Sequence, residues 1–309
     1  MDFKTAIKKI NSGRDDDVAD GLRAILHDCS ELRHEGKNPM ENPSLLKQYM
    51  DASPASTELF QLWDDTRGTY ESPILLLVYE VFAEVVRYAD EHKQKELCLT
   101  LFKKDHSDLI GALLSENDAA INSVCALLRA IVFVGPAAAQ LLNQYVPLAT
   151  IRKLPEMITT KKTRNRVARW IIAIIREDPD VTGKQILLRP DIVSALAEGI
   201  HQDGTFLMRD LIDLFTVTIL PSRSLSTKMK QSFFPWTTLS RYLEEIAKSS
   251  DKAPLQSLLL TLFGDGPAAL YGPPSVFTFS SHLPSTVYRL LAALNPFRAA
   301  FDRQLYLTV

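Results

Sequence analysis

Cysteine is scarce. The 309 residues hold three, Cys29, Cys98 and Cys125, far apart and with no CxxC pair. That count excludes a disulfide-stapled miniprotein and the paired spacing of a zinc ribbon, and it fits a reducing compartment. Long apolar runs are also missing. The longest, 74–79 (ILLLVY) and 170–175 (WIIAII), fall far short of the ~20 residues that span a bilayer. The N-terminus, MDFKTAIKKINSGRDDD, has no apolar signal core. The sequence therefore predicts a soluble intracellular protein without a membrane partner. Charge of one sign is lacking too: 35 Lys+Arg against 37 Asp+Glu leave a net −2. This excludes a uniformly basic nucleic-acid binder and leaves room for a local basic patch.

Motifs that carry chemistry are equally thin. There is no Walker loop, no GxGxxG and no GxSxG. Gly264-Asp265-Gly266-Pro267 lacks a following Lys-Ser/Thr, so it reads as a turn rather than a phosphate cradle. The six histidines (His27, His34, His92, His106, His201, His282) never pair at metal spacing. His27 and His34 flank Cys29 but lack i, i+4 geometry, so they read as solvated or capping residues. Asp15-Asp16-Asp17 suits a helix start better than a metal, and Asp64-Asp65 suits a solvated turn. The expectation is a protein that is not an enzyme and holds no metal or cofactor.

What the sequence does have is helical periodicity. Val18, Leu22, Ile25, Leu26, Cys29 and Leu32 step by three and four, until Gly36 and Pro39 stop the helix and a loop holds Asn38, Pro39, Asn42 and Pro43. Ser72-Pro73 opens a stripe of Ile74, Leu77, Val78, Val81, Phe82, Val85 and Tyr88. A charged join at 90–96 precedes one helix through Leu97, Leu101 and Phe102 and a short one through Leu109, Ile110, Leu113 and Leu114. Residues 117–134 are apolar nearly all round, which predicts burial on most sides, and Gly135-Pro136 breaks them from the next helix. Further helices follow Pro190, Pro235, Pro254, Pro284 and Pro296, with a Gly/Pro/Ser-rich internal loop at 264–281. Strand-like alternation is nearly absent. About fifteen helices, pairing at intervals of ~40 residues, predict an all-α, armadillo/HEAT-like helical repeat solenoid over a single domain, 1–309. A globular helical bundle is the competing architecture. The chain ends within an apolar stripe, 304–309 (QLYLTV), without a polar closing face, so it reads as the N-terminal part of a longer scaffold.

One charged segment rises above the background. Between residues 152 and 176 lie Arg152, Lys153, Lys161, Lys162, Arg164, Arg166, Arg169 and Arg176, against the single acid Glu156. On a helix beginning near Lys161, Lys162 meets Arg166 at i, i+4 and Arg169 at i, i+7. Val167, Trp170, Ile171 and Ile174 form the core side. Lys161, Lys162, Arg164, Arg166 and Arg169 are therefore the candidate RNA-binding residues, a row of donors for phosphates. The competing reading is a solvated face paired with neighbouring acids. Exposed aromatics are not interleaved, so stacking on single strands is not indicated. A secondary basic site, Arg223, Lys228 and Lys230, precedes Phe233, Phe234 and Trp236, aromatics that fit a core at least as well as a surface.

Several segments, taken in order, carry a resemblance: 58–63 (ELFQLW), 74–88 (ILLLVYEVFAEVVRY), 135–139 (GPAAA), 164–170 (RNRVARW), 189–204 (RPDIVSALAEGIHQDG) and 228–242 (KMKQSFFPWTTLSRY). The chain resembles the N-terminal domain of the nucleolar pre-ribosomal-associated protein one family, also called the unhealthy-ribosome-biogenesis family. The resemblance implies a large α-helical scaffold in the nucleolus of the nucleus, and it does not imply that this domain is an enzyme. It implies a role in early assembly of the large (60S) ribosomal subunit and in rRNA maturation. The implied partners are assembly factors including a DEAD-box helicase, pre-rRNA and small nucleolar ribonucleoproteins. Family members are far longer than 309 residues, and Lys8-Lys9 falls short of a nuclear-localisation run. The alternative function is an armadillo-like protein–protein adaptor that binds extended peptides without RNA.

Overall fold

The computed structural model describes residues 1–53, 56–199, 210–211, 214–219, 222–226 and 229–230. Local chemistry sets the helix ends. Asp15, Asp16 and Asp17 crowd the first turn of α2 (Asp15–His34), where carboxylates meet the positive end of the helix dipole. The same helix closes on Gly36 at φ +70°. The Gly36 N–H donates to the Arg33 carbonyl (3.0 Å) and the Lys37 N–H to the Leu32 carbonyl (2.8 Å), a Schellman closure that only a residue free of Cβ strain makes cheaply. Pro73, Pro136 and Pro190 open α5 (Pro73–Tyr88), α8 (Pro136–Tyr145) and α12 (Pro190–Gly199), as their rigid φ and missing N–H favour. Asn117 caps α7 (Asp118–Val132), its side-chain oxygen accepting from the Ala119 N–H at 2.9 Å.

The remaining helices are α1 (Phe3–Ile10), α3 (Leu45–Ala52), α4 (Thr57–Thr66), α6 (Glu91–Leu114), α9 (Leu154–Thr159), α10 (Arg164–Glu177) and α11 (Thr182–Leu187). A 3₁₀ turn covers Leu148–Thr150 and a π-helical turn covers Leu214–Ile219. Every regular element among the described residues is helical, so the described part of the chain is all-α. None of these helices is long and apolar enough to cross a membrane.

Two elements differ from the sequence expectation. The charged join and the two short helices after it are one 24-residue helix, α6. Asp90 caps it, accepting from the Lys93 N–H at 2.9 Å, and no proline interrupts it. The loop after Gly36 gives way to α3 sooner than apolar spacing suggests. Ser44 caps that helix: its hydroxyl accepts from the Lys47 N–H (2.9 Å) and donates to the Pro39 carbonyl (2.8 Å).

The chain divides into two compact units, Met1–Gly183 and Lys184–Val309. In the first, α2, α5, α7 and α10 lie side by side in chain order, with α5 against α7 the most extensive contact. The other helices flank this series: α1 and α3 against α2, α4 against α5, α6 and α8 against α7, and α9 against α10. Its core includes Leu22, Tyr79, Phe82, Val124, Leu127, Trp170 and Ile171, all essentially inaccessible. Each aliphatic or phenylalanine side chain of this set contributes about 1.5–3 kcal/mol by leaving water. A buried acid joins α4, α5 and α6: Asp108 accepts from the Trp63 indole N–H (2.6 Å), the Tyr79 hydroxyl and the Gly68 N–H (3.0 Å). In the second unit Ile192, Val193, Leu196, Leu211, Leu214, Ile219 and Leu225 are buried. The expected loop at 264–281 and the helices after Pro235, Pro254, Pro284 and Pro296 lie outside the described residues, as does the chain end at 304–309.

Candidate nucleic-acid interface

The basic stretch does not begin with a helix at Lys161. Lys161, Lys162 and Thr163 form a turn, and α10 starts at Arg164. The turn is fixed on its inner side. Thr163 is 1% exposed and its hydroxyl donates to the Met157 carbonyl (2.7 Å), while Asn122 of α7 donates its amide to the Lys162 carbonyl (3.0 Å). Lys161 and Lys162 project from it as exposed residues. The Lys162 ammonium lies 3.3 Å from the Asp118 carboxylate, in the first turn of α7.

The period of α10 puts Arg164 on its packed side. Arg164, Ala168, Ile171 and Ile175 share one stripe at i, i+4, i+7 and i+11, and all four are buried. Arg164, expected in the exposed row, is only 4% accessible and belongs to the packed side of α10. It therefore leaves the row of phosphate candidates. Asn165 and Arg166 are exposed and Arg169 is half-buried. Of the secondary site, Arg223 is exposed and Lys230 is half-buried, with burial lowering its ammonium pKa. Lys228, Phe233, Phe234 and Trp236 lie outside the described residues.

Arg166 and Arg169 border a concave part of the surface. They line a cleft of about 280 Å³ within the first unit, walled by four helices: Arg33 from α2, Glu80, Ala83, Glu84 and Arg87 from α5, Cys125, Ala126 and Arg129 from α7, and the two arginines of α10. Five guanidinium groups thus surround two carboxylates. Glu84 is 5% exposed and its Oε1 accepts from both Arg87 (2.6 Å) and Arg33 (3.0 Å). Its Oε2 has no hydrogen-bond partner among the described residues. Arg166 donates to Glu80 Oε2 at 3.4 Å, reaching from α10 to α5. Burial raises the Glu80 carboxyl above its ordinary value, while the Arg166 charge and the Ser123 hydroxyl pull it back. The Arg129 guanidinium stacks over the Phe133 ring, 5.2 Å from its centre.

Sequence reasoning missed Arg33, Arg87 and Arg129. Each occupies the last turn of its helix, α2, α5 or α7, which is the one regularity that singles them out along the chain. Their usual reading is complementarity to the helix dipole, and nothing local announces that three such termini meet.

The guanidinium groups give the cleft a means of recognising anions. Guanidinium forks match phosphate and carboxylate oxygens two at a time. The thiol on the cleft wall, Cys125, is buried and its pKa is pushed far up, so it offers no nucleophile at neutral pH. No group of three or more His, Cys, Asp or Glu that could hold a metal occurs among the described residues.

Comparison with known proteins gives one family. No curated protein and no solved structure matches the chain. The model of the family described as "Ribosome 60S biogenesis N-terminal", Npa1, matches residues 56–263. That span takes in α4 to α12, the basic turn and most of the arginine cleft, and it covers well over half of the sequence, so the chain belongs to the Npa1 family and has a role in biogenesis of the 60S ribosomal subunit.

Proposed function

We propose that this chain is a non-enzymatic scaffold that holds pre-rRNA and assembly factors together during early 60S assembly, in the nucleolus. The mechanism is positional. Rigid helices, stacked in chain order as in an armadillo-type solenoid, display a fixed surface on which RNA segments and proteins are held while the particle compacts. The observation that carries this reading is the basic turn. Lys161 and Lys162 stand exposed beside Arg166 and Arg169, in a chain whose net charge is slightly negative and whose family acts in 60S biogenesis. Four cations, two in the turn and two on the helix that follows it, suit the phosphate contacts that set register and orientation without reading bases. The partners fitting this role are a DEAD-box helicase, other assembly factors and small nucleolar ribonucleoproteins.

The test is ultraviolet crosslinking of the tagged protein in cells, with sequencing of the recovered RNA. The variant K161E/K162E/R166E/R169E is run beside it and leaves the buried Arg164 in place. Recovery of large-subunit precursor rRNA that falls strongly in the variant is the expected result. Recovery unchanged in the variant would move the RNA surface elsewhere. Background recovery from the unaltered protein would favour the peptide-adaptor alternative.

A further inference from the structure

The arginine cleft extends beyond the basic turn, and its construction suggests more than a solvated face. Arginine supplies every cation on its walls, and no lysine is among them. Arg166 belongs both to the exposed row and to the cleft. The arginines run from Arg166 and Arg169 to Arg129, Arg87 and Arg33 across four helices in succession, and the turn that carries Lys161 and Lys162 leads directly into the first of these helices. Two of the arginines, Arg33 and Arg87, are held by one carboxylate oxygen of Glu84, and that carboxylate is buried. An acid placed so deep among arginines acts as an internal counter-ion. It fixes the guanidinium planes and lowers the net positive charge that the empty cleft must carry.

We infer that the cleft binds the phosphodiester backbone of single-stranded RNA, with Arg129, Arg87 and Arg33 as phosphate contacts beyond the basic turn and Glu84 as the group that holds two of them in place. This rests on the RNA-binding reading above and deepens it. The continuity with the row favours an extended ligand over a compact anion. The concavity favours a single strand over a duplex. An A-form duplex presents its phosphates on a broad convex surface and can touch only the rim. A strand with unstacked bases can send its backbone inward and lay bases against guanidinium planes.

The experiment uses the full chain and fluorescence anisotropy with a labelled single-stranded RNA and a hairpin duplex of equal nucleotide count, over a range of salt. Two variants probe the cleft. Arg129→Gln removes one contact without releasing Glu84, and Glu84→Gln removes one negative charge while its amide oxygen still accepts from Arg33 and Arg87. Arg129→Gln should weaken single-strand binding roughly three- to tenfold and reduce the slope of log affinity against log salt by about 0.7. Glu84→Gln should tighten it by a few fold, an outcome that misfolding does not produce. The duplex should respond to neither. Circular dichroism checks that both variants fold.

The failure of each reading looks different. If the unaltered protein binds neither RNA, the basic turn has no RNA role and both readings fall. If it binds RNA and K161E/K162E weakens that binding, while Arg129→Gln and Glu84→Gln change nothing, the turn stands and the cleft proposal is overturned. If inorganic tripolyphosphate binds at the cleft and the single strand does not, the ligand is a compact anion and the proposal is likewise wrong.

Discussion

A carboxylate buried among aromatic rings is costly unless its lone pairs are used. Asp108 meets that demand with the indole of Trp63, the hydroxyl of Tyr79 and the amide of Gly68. Burial and the neighbouring acid together raise the Tyr79 hydroxyl pKa, so the phenol stays protonated and remains a donor. Asp108→Ala strands three donors at once and should cost about 3–5 kcal/mol, read as a lower urea midpoint. Glu80 gives a pH test with a defined sign. Its carboxyl is raised above 4.5 on folding, mainly by burial. An acid raised in this way supports the fold fully below its unfolded value, and that support is lost as pH rises through the folded one. Urea midpoints of the unaltered protein and of Glu80→Gln should therefore move apart between pH 4 and pH 7, in favour of the Gln form. Neither role was legible in the sequence. The partners of Asp108 lie 29 to 45 residues before it, and Glu80 reads as an ordinary acid on an apolar helix. Arg164 was legible and was misread: Ala168, Ile171 and Ile175 follow it at i+4, i+7 and i+11, which puts it on the apolar side of the helix whatever the local charge density.

Helix starts were legible where stiffness sets them. Pro73, Pro136 and Pro190 open α5, α8 and α12 as the spacing predicts. Helices without such punctuation were not. The interior of α6 is polar enough to look like two helices after a join, and α3 is only eight residues long, although Leu45, Leu46, Tyr49 and Met50 form a buried apolar stripe. Gly21 separates propensity from packing at this scale. Mid-helix glycine ordinarily costs ~0.5–1 kcal/mol relative to alanine, so Gly21→Ala should stabilise α2 on propensity alone. A Cβ at that position would lie 2.7 Å from Cγ1 of Ile10 and 2.8 Å from the Ala6 carbonyl oxygen, and backbone does not step aside cheaply. Gly21→Ala should therefore lower stability by about 1–3 kcal/mol through displacement of α1, seen as a fall in melting temperature.

Across the first unit, stability should be graded from its centre outward. α5 and α7 bury residues on nearly every side, whereas α1 buries only Ala6 and Ile10. Amides at 78–85 and 124–128 should be the slowest to exchange with deuterium and those of α1 among the fastest, as measured by mass spectrometry of the intact chain. The helical class was visible at this scale because periodicity repeats along the described segments. Two of the five cleft arginines were visible as well, since Arg166 and Arg169 sit in one dense charge run. Arg33, Arg87 and Arg129 were not, because they come from three helices spread over about a third of the chain and meet only through packing. The scarce cysteines acquire a use from the same packing. Cys29, Cys98 and Cys125 are free, buried and carried one each by α2, α6 and α7, and burial pushes the Cys29 and Cys98 thiols up to about 12. Only a thiolate reacts readily with alkylating reagents or peroxide. In the closed protein all three are chemically silent, so each becomes a clock for its own helix. The order in which iodoacetamide marks them reports the order in which the helices open, with no label engineered into the chain.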